Sequence, residues 1–315
     1  MKLHLDRVAF EQILGETEQR YGIRRDVLEK DYYVTLLLYE LTGREAQGHA
    51  YFKGGTALYK ALRSIRRFSE DIDLTVCVED CPTPSQAQKR LKNAALQFSS
   101  LPKGRSINKK GSIVCEYLYS SLYELDESDA LQRFGNVQVE ATSFTISEPT
   151  TCIEIAPYLY ELCNEDRKRI LCEYYDVSPF NMETISLERI FVDKVFAAEY
   201  YFERAEFDDV AKHIYDITVL LQNELILRFL SDVESVRKIV GYKRQEETVR
   251  LGGVDATIKI RDFSYFSKLR WTSGFADSYE RMQNIYVLSP EDRIDLETAI
   301  KAVEGLQQHS AWGDM

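Results

Sequence analysis

Lys53-Gly54-Gly55-Thr56-Ala57-Leu58 leads from a short strand pattern, Tyr51-Phe52-Lys53, through a glycine pair into a helical stretch over Ala57 to Ile65. Glycine lets the backbone come close to a phosphate, and the N-terminus of the following helix offers unpaired N–H groups to an anion. A glycine pair alone carries little weight, and Gly252-Gly253 is another in the same chain. The next stretch, Arg67-Phe68-Ser69-Glu70-Asp71-Ile72-Asp73-Leu74, runs into the alternation of Asp71 to Val78, a strand pattern. Residues i and i+2 of a strand face the same way. Asp71 and Asp73 are therefore expected on one face about 6–7 Å apart at Cα, with Ile72, Leu74 and Val76 turned to a core. Two carboxylates side by side on a buried strand are costly unless a cation neutralises them, and Mg2+ takes such oxygen ligands together with substrate phosphates. An isolated pair also fits an exposed edge strand. Together, however, the two stretches bring phosphate-cradling amides and metal-binding carboxylates to one end of a sheet.

Around this centre the periodicity predicts helices over 5–20 and 26–43, with Gly43 as a stop, and a further helix over about 86–99. Strands are expected at Ser112 to Tyr119, Asn136 to Thr145, Thr151 to Ile155 and Met182 to Ile185. From Leu187 to about residue 240 the pattern is helical; Lys243 to Ser273 reads as irregular, and a last helix covers about 290–307. The layout is α+β, a mixed-sheet half over residues 1–175 followed by a mainly helical region over 176–315.

The 315 residues give room for two modest domains. No apolar run is long enough to cross a bilayer, and Met1-Lys2-Leu3-His4-Leu5-Asp6-Arg7 lacks the apolar segment of a secretory signal, so a cytoplasmic protein without membrane contact is expected. Cys77, Cys81, Cys115, Cys152, Cys163 and Cys172 form no C-x-x-C pair and read as reduced structural thiols. A net charge of −11 argues against non-specific coating of nucleic acid. Three basic clusters remain, each also readable as a solvated face: Arg63, Arg66 and Arg67; Lys103, Arg105, Lys109 and Lys110; and Arg167, Lys168 and Arg169.

Two later elements place charges on or beside apolar helix faces. Lys194 falls on the apolar stripe of Leu187, Phe191, Ala198 and Tyr201, where a lysine calls for a hidden anionic partner or a cavity. Asp216, in Lys212-His213-Ile214-Tyr215-Asp216-Ile217, lies at the edge of the next helix's apolar face. An ion pair linking two helices accounts for both. On the strand Val137-Gln138-Val139-Glu140-Ala141-Thr142, Gln138, Glu140 and Thr142 share one face, so Glu140 is available as a third acid.

The segments at 53–58 and 67–74 resemble the first signature of the AbiEii/AbiGii-type nucleotidyltransferase toxins, members of the polymerase β-like nucleotidyltransferase superfamily. The Asp193-Lys194 helix followed by Tyr215-Asp216 is similar to the second signature, and Glu29-Lys30-Asp31-Tyr32-Tyr33 has the family's look. Lys212 stands where the family often carries an arginine; the resemblance runs from about residue 29 to 217 and is silent on residues 240–315. The resemblance implies a polymerase β-like core using Mg2+ or Mn2+ and an NTP. It implies that Lys53, Gly54, Gly55, Thr56 and Ser69 hold the nucleotide, that Asp71, Asp73 and Glu140 hold the metal, and that Asp71, Asp73, Lys194 and Asp216 carry the reaction. It further implies transfer of NMP to an RNA acceptor, the tRNA 3′ end, with growth inhibition relieved by a cognate antitoxin encoded nearby. A small molecule or a protein side chain as acceptor, or a non-catalytic binding module, are the competing readings.

Overall fold

The structure is a computed structural model that describes residues 1–44, 48–63, 66–124, 135–250, 252–313 and 315. It divides into two compact units, Met1–Thr184 and Ile185–Met315.

The first unit holds α1 (Arg7–Tyr21), α2 (Arg25–Thr42), β1 (Ala50–Lys53), α3 (Gly54–Leu62), β2 (Ile72–Val76), α4 (Pro84–Leu96), β3 (Lys103–Lys109), β4 (Ser112–Leu118), β5 (Asn136–Thr142), β6 (Thr150–Ile155), α5 (Tyr158–Glu161), α6 (Glu165–Tyr175) and β7 (Phe180–Ile185). The strands form one sheet in the order β3-β4-β5-β2-β1-β7-β6. It is mixed: β2 runs parallel to β5 and β1 parallel to β7, whereas β1–β2, β3–β4 and β4–β5 are antiparallel. Ile72, Leu74, Ile113, Cys115, Tyr117, Val137, Val139 and Ala141 are buried on one face, where the Tyr117 hydroxyl donates to the Ala95 carbonyl of α4 at 2.7 Å. Helix starts are written locally: Asp6 caps α1, Thr83 with Pro84 at the first turn caps α4, and Asn164 caps α6.

The second unit comprises α7 (Leu187–Phe202), α8 (Phe207–Leu220), α9 (Glu224–Ser231), α10 (Val233–Val249), α11 (Ser264–Lys268), α12 (Phe275–Tyr286) and α13 (Leu296–Gln307). Its interior is aromatic: Phe196 and Phe263 stack edge to face at 5.1 Å, and the fully buried Trp312 donates its indole N–H to the Leu306 carbonyl at 2.7 Å. No helix among the described residues is long and apolar enough to cross a membrane.

The expected α+β arrangement, a mixed sheet followed by a helical region, is what the chain adopts. Several elements differ from expectation. β3 has no apolar alternation because all but Gly104 of its residues are exposed on the sheet edge, so it reads only as a basic run. α5, α6 and α12 are also additional: α5 is a single turn, α6 buries only Leu171, and the inner row of α12 is broken by Ser278 and Gln283. α10 continues to Val249, into the stretch expected to be irregular, with Lys243, Glu246 and Glu247 buried on its inner face. α3 begins at Gly54 itself rather than at Ala57; its expected end at Ile65 lies outside the described residues.

Candidate active site

Lys53, Asp73 and Glu140 stand side by side on three adjacent strands. Lys53 of β1 is in register with Asp73 of β2, which is in register with Glu140 of β5. Register partners point to the same face, with strands about 4.8 Å apart. All three are half-buried on the face opposite the packed core, and Lys53 Nζ donates to Thr142 Oγ1 on that face at 3.1 Å. Asp71 lies immediately before β2, half-buried, two positions ahead of Asp73.

The glycine pair is required where it stands. Gly54 has φ +80°, and a Cβ there would run into the Asp73 carboxylate, 3.0 Å from its Cγ and 3.1 Å from its Cβ. The chain therefore lays its bare Cα against the very carboxylate the sequence singles out. A Cβ at Gly55 would sit 2.6 Å from Ser69 Oγ and 3.1 Å from Arg67 Nη2. Thr56 Oγ1 donates to Ser69 Oγ at 3.1 Å. Helix α3 is entered from Lys53 in extended conformation, with no side-chain cap on its first turn. Its N-terminal dipole and amides thus open beside Asp73 and Ser69, a setting suited to phosphate.

Arg67 is not a free basic residue: it is buried, donates to the Phe68 carbonyl at 3.2 Å and lies over the Tyr59 ring. The oxygen donors Asp71, Asp73 and Glu140 have the chemistry a hard divalent cation takes. Among the described residues, no group of three or more His, Cys, Asp and Glu side chains is gathered to hold an ion unaided.

Buried charges of α2 brace this centre. Lys30 donates to the Asn136 carbonyl at the start of β5 and lies 3.6 Å from Glu70, the residue before Asp71. Asp31 pairs with Lys60 of α3 at 2.7 Å and accepts the Tyr158 N–H at 2.7 Å, while Lys60 also donates to the Ala156 carbonyl at 2.8 Å. Glu29 accepts from Ser121 Oγ at 2.7 Å and from the Leu122 N–H at 2.8 Å; burial raises its pKa against those bonds. Glu29-Lys30-Asp31 is thus a set of internal struts, and three consecutive charges followed by the largely apolar stretch from Tyr32 to Tyr39 are the signal that marks it.

In the second unit, Lys194 of α7 and Asp216 of α8 form a buried ion pair at 2.8 Å. Further charges are paired between α7 and α10. Arg189 and Lys243 hold Asp193 at 3.2 and 3.5 Å; Arg189 also pairs with Glu246, and Lys243 with Glu247 at 2.8 Å. The Val254 N–H donates to Glu247 at 2.8 Å, and a Cβ at Gly253 would strike the Glu247 carbonyl oxygen at 2.5 Å, so the second glycine pair serves packing.

A family model described as "Nucleotidyl transferase AbiEii toxin, Type IV TA system" matches residues 36–296. No curated protein matches the chain by sequence. Among solved structures, MenT4, a nucleotidyltransferase toxin from Mycobacterium tuberculosis H37Rv, is similar with a TM-score of 0.44 and 14% identity, over 93% of this chain and 98% of its own.

Proposed function

The chain belongs to the AbiEii family of nucleotidyltransferase toxins of type IV toxin–antitoxin systems, and from that premise we propose that it transfers NMP from an NTP to the 3′ end of an RNA, with tRNA as the acceptor. The observation that carries the proposal is the row Lys53–Asp73–Glu140 beside a helix opened by Gly54. It joins cationic, anionic and amide groups in the arrangement a triphosphate and an attacking hydroxyl need.

Asp71 and Asp73, with Glu140 beside Asp73, would hold Mg2+ or Mn2+; Mg2+ is usually bound through one or two carboxylates plus substrate phosphates and water. Such a cation supplies charge neutralisation between carboxylates and triphosphate. The α3 amides of Gly55 and Thr56, with the Ser69 hydroxyl, orient the outer phosphates, and Lys53 offsets their charge. The acceptor hydroxyl oxygen attacks the α-phosphorus, the bond to the bridging oxygen breaks, and pyrophosphate leaves. Glu140 takes the hydroxyl proton. From the resemblance of the α7–α8 segment, Lys194 is assigned to the phosphates and Asp216 to fixing its ammonium. An antitoxin partner follows from the family. A cytoplasmic location suits the NTP donor and the six unbonded cysteines.

The test is transfer from each α-labelled NTP to total RNA. Label on tRNA-sized bands supports the reading, and label on protein or a small molecule moves the acceptor to that class.

A further inference from the structure

The three basic clusters have different fates in the fold. Arg63 pairs with Glu154 at 3.0 Å and Arg67 is buried. Arg167 pairs with Glu16, Lys168 with Glu165 at 2.9 Å and Arg169 with Asp166 at 3.0 Å. Lys103, Arg105, Lys109 and Lys110 are all exposed, and among the described residues none has an acidic partner within ion-pair distance. They occupy the β3–β4 hairpin at the sheet edge.

Register connects this edge to the acids. Ile107 of β3 pairs with Val114 of β4, which pairs with Glu140 of β5, which pairs with Asp73 of β2. One rung on, Lys109 pairs with Ser112, Ser112 with Thr142 and Thr142 with Thr75. Ile107 and Lys109 therefore share the face of Glu140 and Asp73. Asn108 and Lys103 pair with Ile113 and Tyr117 of the packed face, so both lie on the opposite side, where Asn108 is held by Gln88 of α4 at 3.1 Å. On the open face Ile107 and Leu118 are each 43% exposed. β3 lies three strands from β2, about 14 Å, a span of about four nucleotides at roughly 3.4 Å each.

We propose that the β3–β4 hairpin, through Arg105, Lys109 and Lys110, is the docking surface for the sugar–phosphate backbone of the acceptor RNA a few nucleotides from its reacting end. In a chain of net charge −11, a local cluster of unneutralised cations beside the catalytic row is where a polyanion gains most. Ile107 and Leu118 add apolar surface for sugar or base. The alternative use of edge lysines is to block strand-to-strand association, and the experiment separates the two.

This inference rests on the RNA-acceptor reading. The full-length chain carrying Arg105→Glu, Lys109→Glu and Lys110→Glu is compared with the unaltered chain for binding of unfractionated tRNA over a salt series. The same three positions changed to Gln serve if charge reversal impairs folding. Expected are an affinity at least about tenfold weaker, a shallower dependence of log K on log salt and a raised KM for RNA, with NTP binding unchanged. Equal affinity and salt slope in a folded variant would overturn the proposal, as would a Gln variant that aggregates but binds tRNA normally. Label moving to protein or a small molecule in the unaltered chain instead sinks the RNA-acceptor reading itself.

Discussion

Replacing Gly54 by alanine separates the cradle from ordinary backbone preference. Gly22, at the end of α1, has φ +69° with nothing within 4 Å of an added Cβ; Gly54 has φ +80° and the Asp73 carboxylate in that space. Both alanines incur the left-handed backbone cost of about 1–2 kcal/mol. Only Gly54→Ala adds overpacking, about 1–3 kcal/mol more. To restore ordinary contact from 3.0 Å at Asp73 Cγ, the carboxylate must move by roughly 0.5–1 Å, and a displacement of that size costs up to about a hundredfold in rate. Denaturant unfolding should show Gly22→Ala about 1–2 kcal/mol less stable and Gly54→Ala about 2–5 kcal/mol less stable. Label transfer from an NTP, at a temperature where both are folded, should fall by one to two orders of magnitude in Gly54→Ala alone. A folded Gly54→Ala protein with transfer within about threefold of the unaltered chain would refute the cradle, and so would an equal loss in Gly22→Ala.

Lys60→Met strands the buried Asp31 carboxylate and should cost about 3–5 kcal/mol by denaturant unfolding, with Asp31→Asn in the same chain returning part of it; a loss under about 1 kcal/mol contradicts the strut. Lys194→Met should destabilise by a similar amount and Lys194→Met/Asp216→Asn should recover stability without transfer activity, whereas recovery of both would make the pair purely structural. Burial alone would raise the Glu40 carboxyl, but hydrogen bonds from Ser100 and Ser99 bring it from 4.5 down to about 2. Its contribution is therefore full above pH 4.5 and is lost as pH falls toward about 2. The stability gap between the unaltered chain and Glu40→Gln should narrow as the pH is lowered from about 6 to about 3; a gap that stays constant contradicts the assignment.

Much of the candidate site is legible in the sequence because its residues are local. The glycine pair, Ser69, Asp71 and Asp73 lie within one strand–helix–strand passage, and period-two alternation puts Glu140 on the face opposite Val137, Val139 and Ala141, which is the face it shares with Asp73. What the sequence could not supply was register: that Glu140 and Lys53 flank Asp73 depends on pairing with strands far along the chain. The struts at Glu29, Lys30 and Asp31 were visible as a motif but not as structure, since their partners lie on other elements. β3 escaped because an edge strand exposed along nearly its whole length buries no face and carries no hydrophobic period. The α10 extension escaped because its inward side chains are charged, and only their mutual pairing makes them core.

The most direct test of the central claim incubates the purified chain with total RNA, Mg2+ and each α-labelled NTP in turn, beside Asp71→Ala/Asp73→Ala. Label in tRNA-sized bands, lost in the double variant while its fold persists, is the predicted result. Equal labelling by the double variant, or no label with any NTP, would contradict the assignment of Asp71 and Asp73 as the centre of the reaction.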